Sequence, residues 1–531
     1  MQTVSQAWKD THKKTMLNES YVEVSLDIAD PDALVDAQSL DNGSVYISDT
    51  AEVVSSVDTP TISYGTLEQN MWLLDGTRQL IPTSDYQDGG YVGDVLSNEE
   101  CKFVDKVPTI TIEFSSVHDK PIPGLIITWG DAYGEYAEHF VVTAYKGNDM
   151  IARKEVLDNK SVTSVLAWDI SNYDRIIIQI FSWCLPNHRA RVNEIFMGWT
   201  SIFTKTELLS YSHEQVVDPI STSLPKMEIK FSIDNRDGAY NPYNTSGLSK
   251  YLTERQELTV RYGLKLDNGT IEWVDGGVFY LSEWYAKQNG ISADFVARDM
   301  LEFMSAPYTD DIEKIEDRTL YSLATKILVA AGLPKNSDGS SKWVIDSSLE
   351  RIKTKAPLPN DTMANCLQMI ANMARCVIYP DRKGVLHIEP MSTVATDYVI
   401  DSFNSYTKSE ITLSKPIKEV IVKFYDYTLS EKGTESTVRE WRTKFGDAGE
   451  TIVVDNPLVT DGIEAEKLSL WVGNYLKNRM TLKSSVRADV RLDALDVVSN
   501  KNEYNENTMV TTNVNFEFNG AFHGTIEGRV I

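Results

Sequence analysis

Aromatic rings and short polar side chains alternate at two places in the chain. The run Trp129-Gly130-Asp131-Ala132-Tyr133-Gly134-Glu135-Tyr136 is one, and Trp183 followed by Asn187, His188 and Arg189 is the other. A sugar site needs flat aromatic faces for stacking, with amides or carboxylates nearby for hydroxyls. The candidate carbohydrate-binding residues are therefore Trp129, Tyr133, Tyr136, Trp183, His188 and Arg189, with Asp131 and Asn187 as polar partners. Trp129 and Trp183 also end strand-like runs, where the same rings would serve as core.

Other chemistries are less well supplied. Nucleophilic catalysis brings together Ser or Cys, His and an acid, and none of the seven histidines sits in a hydrolase or protease string. No His-Glu-x-x-His appears. His387 lies on an alternating run and reads as a satisfied strand histidine. Asp310-Asp311, Glu99-Glu100 and Asp493/Asp496 have the look of a glycosidase pair. In a chain with 77 acidic residues such pairs arise by chance. Asp85, Asp88 and Asp94, with nearby carbonyls, are a candidate calcium set without EF-hand spacing; otherwise no cofactor is expected. Gly89-Gly90 and Gly276-Gly277 lack phosphate-loop spacing and read as turns or bulges. Cys101, Cys184, Cys366 and Cys376 fit neither a zinc site nor a disulfide frame, and read as free thiols.

Composition narrows the partners. The net charge of -26 over 531 residues disfavours a free nucleic acid, which needs clustered Lys and Arg. Lys9, Lys13 and Lys14 form the only basic cluster and suit a helix face. Residues 1–20 carry no apolar signal region, and no apolar run reaches the ~18 residues of a membrane span.

The elements that must position these residues are mostly strands. At roughly 100–200 residues per domain the length allows about three to five domains. Residues 1–20 read as a short helix with Val4, Ala7, Trp8 and His12 on one face. Tyr21–Leu26 and Val45–Ile47 alternate, with Asp41-Asn42-Gly43 as a hairpin signal between them. Leu67–Leu74 reads as a helical turn in a linker. Residues 83–199 carry six or more strands with turn signals between, which implies a sandwich. Gln256–Leu266 and Thr270–Tyr280 flank the hairpin signal Asp267-Asn268-Gly269. Helices are expected over Leu320–Ala331, over Asp361–Cys376 with Asp361 or Thr362 as N-cap, and over Gly462–Met480.

The order of these pieces carries a resemblance. Lys230-Phe231-Ser232-Ile233-Asp234-Asn235-Arg236-Asp237-Gly238 is followed by Gly276-Gly277-Val278-Phe279-Tyr280-Leu281 and Ala297-Arg298-Asp299-Met300-Leu301. The helix and hairpin at 361–389 come next, and the chain stops on Phe518-Asn519-Gly520-Ala521-Phe522-His523-Gly524 and a last strand. This resembles the hub module of bacteriophage tail tips and baseplates over residues 1–75 and 200–531, as in siphophage tail-associated proteins and myophage baseplate hubs. Residues 83–199 resemble a galactose-binding-like jelly roll. The resemblance implies a mainly β, multidomain fold. Its parts would be a discontinuous first hub β-barrel (1–75 plus 200–305), a carbohydrate-binding-like β-sandwich insert (83–199), a mixed α/β domain (306–400) and a second hub barrel with one helix (401–531). It implies a structural protein of the virion tail rather than an enzyme: a homotrimeric ring continuing the tail tube. Distal tail and tape-measure proteins would be its neighbours, host polysaccharide its target, and DNA only a transient cargo in an acid-lined lumen. No lysin domain is expected after residue 531. The alternatives are a secreted carbohydrate-active enzyme with a binding module, and the hub of a phage-tail-like bacteriocin.

Overall fold

The structure, a computed structural model of the chain, describes residues 1–14, 18–48, 53–54, 64–65, 68, 79–80, 90–245, 247–286, 290–309, 318–334, 340–430 and 433–531. Asp85, Asp88, Asp310-Asp311 and most of the linker around Leu67–Leu74 lie outside them.

Three hydrophobic cores organise the chain. The first belongs to a 13-stranded sheet. Its strands alternate as the sequence does: in Ser20–Ala29, Val22, Val24, Leu26 and Ile28 point inward, and in Lys226–Asp234, Ile229, Phe231 and Ile233 do the same. The sheet runs from Gly198–Phe203 through Ser20–Ala29, Glu257–Lys265, Ile271–Ala286, Ser292–Arg298, Lys226–Asp234 and Leu208–Val216. It continues through Glu506–Phe518, Phe522–Val530 and Met480–Arg487 to Glu410–Leu413, while Val497–Lys501 pairs with Glu506–Phe518 and carries Ala395–Ile400 as a side branch. The two halves meet where Tyr211–Val216 pairs antiparallel with Asn513–Phe518. Phe516 sits at this seam, edge-on to His213 and Tyr262 of the first half. The two barrel-like halves therefore share one core.

The second core is the sandwich. One sheet holds Asp149–Val156, Ala137–Lys146, Tyr173–Trp183, Thr109–His118 and Ala37–Asn42. The other holds Thr163–Ile170, Ile122–Trp129, Arg189–Phe196, Tyr91–Leu96 and Ser44–Ile47. The insertion thus starts earlier than the composition suggests. Ala29 pairs directly with Gly198, so the chain leaves the hub sheet and returns to it at adjacent positions. Asp41-Asn42-Gly43 is not a hairpin. With Gly43 at φ +100°, it is a corner at which the chain passes from one sheet of the sandwich to the other.

The third core is mixed. Thr319 caps the helix Leu320–Ala330 and Thr362 caps Met363–Ala374, each side chain accepting from the amide three residues on. The helix faces pack on the sheet of Trp343–Ile345, Leu386–Glu389 and Val377–Pro380. Val420, Val422, Leu468 and Val472 join this same core. Residues 417–477, with the long hairpin Ile417–Ser430/Gly433–Lys444 and the helix Gly462–Lys477, therefore belong to the α/β unit and interrupt the second barrel. No helix among the described residues is long and apolar enough to cross a membrane.

A shared core predicts shared unfolding. Phe516→Ala should cost about 3–5 kcal/mol as a fully buried aromatic. It should lower a single calorimetric transition covering both barrel halves, not split off one half.

Candidate functional site

All eight sugar-site candidates gather at one end of the sandwich. The strand Ile122–Trp129 delivers Trp129, a short 3-10 turn carries Asp131–Tyr133, and the strand Tyr173–Trp183 delivers Trp183. Asn187, at φ +59°, turns the chain into the strand Arg189–Phe196.

Their environments divide them. Trp129 and Trp183 are fully buried, edge to face at 6.2 Å. The Trp129 Nε1–H donates to Ser164 Oγ at 2.8 Å and the Trp183 Nε1–H to Glu135 Oε2 at 2.7 Å. Neither ring offers a face to solvent, so both work as core, because each ends a strand whose side chains alternate inward. Beneath Tyr133 lies a buried charge cluster that the sequence did not flag. Glu135 Oε1 is 2.9 Å from His188 Nδ1, and Arg191 places Nη2 2.8 Å from both oxygens of Glu68. The hydrogen bond with Glu135 holds His188 above the ordinary histidine value, against the opposing effect of burial. The Arg191 guanidinium lies 5.5 Å from the Tyr133 ring centroid. Asp131 is exposed; Tyr133, Tyr136, Asn187 and Arg189 are half-buried at the rim. Asp94, the described member of the calcium trio, is ion-paired to Lys106 at 2.5 Å.

A second site lies where the three hub pieces meet. The tip of the hairpin between Val377–Pro380 and Leu386–Glu389 enters between the barrel halves. Gly384, at φ +71°, lets it turn where an added Cβ would stand 3.2 Å from Val278 Cβ. Arg382 at this tip donates Nε to Asp493 Oδ1 (2.6 Å), Nη1 to the Asp275 carbonyl (2.7 Å) and Nη2 to the Leu492 carbonyl (2.8 Å). One buried guanidinium thus bridges the α/β unit and both barrel halves. Asp493 also accepts from Gln2 Nε2 (2.8 Å), and the Met1 ammonium donates to Asp496 (2.6 Å). Burial works against the Asp493 charge, yet Arg382 and the ammonium hold its carboxyl below the ordinary value. Beside them is a cavity of about 260 Å³. His213 lines it, with Nδ1 2.8 Å from Tyr262 Oη. Burial, and then Arg382, push His213 down to about 3, so it is neutral. Burial pushes Asp299 up to about 7, although the amides of Leu301 and Met227 donate to it.

No protein-family model matches the sequence, and no curated protein matches it. Solved structures do. The chain is similar to the 43 kDa tail protein of prophage MuSo2 from Shewanella oneidensis, at 12% identity over 63% of this chain and 95% of that one, with a TM-score of 0.41. It is similar to the tail protein from Neisseria meningitidis MC58, at 12% identity over 62% and 93%, with a TM-score of 0.42. It is also similar to prophage tail protein gp18 from Listeria monocytogenes EGD-e, at 11% identity over 62% and 91%, with a TM-score of 0.38.

Two measurements probe the junction. Arg382→Ala leaves Asp493 in a desolvated site without its guanidinium, and should destabilise the hub by about 3–5 kcal/mol in denaturant titrations; Arg382→Lys, lacking the fork, should recover only part. Asp299 gives a signed pH dependence. Its folded value near 7 lies above its unfolded value, so its contribution is full below pH 4 and is lost as pH rises through 7. Facing it, Glu302 raises the value and Arg298 lowers it. Asp299→Asn should flatten the decline in melting temperature between pH 5 and pH 8, whatever offset the amide itself introduces.

Proposed function

We propose that this chain is a structural component of a phage-type tail tip or baseplate, a hub of which three copies close a ring. The observation that carries the reading is how the main path of the 13-stranded sheet ends. At one end, Gly198–Phe203 lies against the sandwich strand Ile122–Trp129. At the other, the edge strand Glu410–Leu413 is exposed along its whole length, and Ile411 and Leu413 are 56% and 61% exposed. Soluble proteins blunt or cover such edges, because unpaired backbone groups beside apolar side chains recruit another chain. Phe403 and Tyr406, both about half exposed, extend the apolar surface beside it. A heterologous contact that uses this edge on every copy closes into a ring when its rotation permits. The segment order resembling tail hubs supports the same reading.

In this reading other tail proteins cap the ring above and below, and DNA passes only as transient cargo. The sandwich stands outside the ring with Asp131, Tyr133, Tyr136, Asn187 and Arg189 toward a host polysaccharide or a neighbouring tail protein. The chain's role is assembly, not turnover. An interface of this kind falls in the obligate size class, on the order of 2,000 Å² or more.

The double variant Ile411→Lys/Leu413→Lys places two charges on the exposed edge without touching a core. By sedimentation velocity it should run as a folded monomer where the unmodified chain forms trimers. An unmodified chain that stays monomeric at high concentration and within purified particles would overturn the proposal.

A further inference from the structure

The hairpin that brings Arg382 to the junction is braced by a histidine that the hub role does not use. Asp381 closes the turn at the hairpin tip. Its Oδ1 accepts from the amides of Lys383 and Val385, both at 2.9 Å. Its Oδ2 lies 3.2 Å from His387 Nε2, on the returning strand. His387 Nδ1 lies 3.9 Å from Glu389 Oε1 and is buried with no hydrogen-bond partner. Glu389 Oε1 is itself fixed by the Tyr379 hydroxyl, which donates to it at 2.6 Å. The Tyr379 ring stacks on the imidazole, with centroids 5.2 Å apart. The imidazole is thus set between two carboxylates, one at each of its nitrogens.

The two protonation states of that ring are not equivalent here. A carboxylate only accepts, so the contact with Asp381 puts a hydrogen on Nε2. In the neutral ring, Nδ1 then sets a lone pair beside the negative Glu389; in the imidazolium it sets an N–H and a share of positive charge there. The first repels and the second attracts. The hydrogen bond with Asp381 holds His387 above the ordinary histidine value, against the opposing effect of burial. Burial works against the Asp381 charge, yet His387 and the Val385 amide hold its carboxyl below the ordinary value. The remaining charges nearby are engaged elsewhere. The strand Trp343–Ile345 places Val344 beside His387, while Lys342 and Asp346 at its two ends meet the backbone of Leu386 and Ile388. Across the junction, Arg382 and the Met1 ammonium pair with Asp493 and Asp496, and Asp299 accepts from the amides of Leu301 and Met227. Lys383, next along the turn, is exposed.

We propose that His387 is a proton-dependent latch on the hub: as the imidazolium it holds the hairpin tip, and Arg382 with it, between the barrel halves, and as the neutral ring it lets the tip open. The contacts run in series. His387 fixes Asp381, Asp381 fixes the turn, and the turn presents Arg382 to Asp493 and to the carbonyls of Asp275 and Leu492. His387 is therefore a positioning residue for a contact it does not itself make. The sign follows from its raised folded value. The latch is fully closed below the ordinary histidine value of 6.5 and is lost as pH rises through the higher folded one. The α/β unit is thus joined to the two barrel halves most firmly in mild acid.

The test uses the full chain and two readouts. Nuclear magnetic resonance of the chain labelled at histidine gives the midpoint of His387, its signal among the seven histidines being the one that His387→Gln removes. Hydrogen exchange of peptides spanning 381–386, corrected for the intrinsic pH dependence of exchange, reports opening of the tip. The midpoint should lie above 6.5, and protection should fall as pH passes through it. The fall should be about tenfold for each unit by which the midpoint exceeds 6.5. Peptides spanning 211–216, at the seam of the barrel halves, should keep their protection. His387→Gln, whose amide can still donate to Asp381 but takes up no proton, should show no such change with pH. Glu389→Gln should lower the midpoint and shrink the change, and it decides alone if His387→Gln fails to fold. Asp299→Asn should keep the change, because Asp299 does not touch this turn. A midpoint at or below 6.5 would overturn the proposal, as would protection that is flat across the midpoint or falls equally at 211–216. So would a change that survives in His387→Gln or vanishes in Asp299→Asn. None of these outcomes depends on oligomeric state, so the latch and the ring stand or fall separately.

Discussion

Arg382 carries five N–H donors into a place from which water is nearly excluded, and its geometry dictates which parts of the chain must come together there. The fork can be satisfied only by acceptors arriving from several directions. They arrive from both barrel halves, the Asp275 carbonyl from the first and Asp493 with the Leu492 carbonyl from the second, to meet a guanidinium on the α/β hairpin. A buried cation is costly unless every such contact is in place. The hairpin tip, the Gly276-Gly277 segment and the turn at 492–496 are therefore mutually constrained, and the seam of Tyr211–Val216 with Asn513–Phe518 runs beside them. The shared core joins the two barrel halves, and Arg382 ties the α/β unit to both.

The sandwich follows a different logic. It joins the hub sheet at adjacent positions, Ala29 and Gly198, packs on it through Ile122–Trp129, and has its own core. Its buried Glu68, Glu135, His188 and Arg191 bind one end of it together, and they support the rim where Asp131 and Tyr133 lie. In the proposed function, assembly and contact fall to separately cored parts of one chain. Loss of the rim residues can occur without disturbing the sheet that carries the exposed edge.

Much of this was legible in the sequence, for local reasons. Alternation identified the strands at Ile229–Ile233 and around Asp267-Asn268-Gly269, where a glycine at φ +86° makes a true hairpin. The three longer helices form where they were expected, and the structure selects Thr362 over Asp361 as the cap of the middle one. Of the N-terminal helix, Gln6–His12 forms, burying Trp8 and Thr11. What the sequence did not disclose is non-local. Asp41-Asn42-Gly43 has the composition of a hairpin, but its flanking strands pair with Thr109–His118 and Tyr91–Leu96, so it turns a corner instead. Residues 417–477 look like barrel strands because alternation cannot say which core a strand faces. Trp129 and Trp183 have the right type for a sugar platform and the wrong exposure, since burial depends on what lies across the sandwich. Arg382 and Asp493 are 111 residues apart, and no spacing rule links them. A lone arginine at a hairpin tip, where solvent is the usual neighbour, was the available signal.

The proposed ring depends on the exposed edge strand Glu410–Leu413 meeting the next copy. Cryo-electron microscopy of the intact particle that carries this chain tests it most directly. Three copies are expected in a ring coaxial with the tail tube, with Glu410–Leu413 buried against the next copy and the sandwich projecting outward. A particle in which the chain is a single peripheral copy, with Glu410–Leu413 facing solvent, would contradict it.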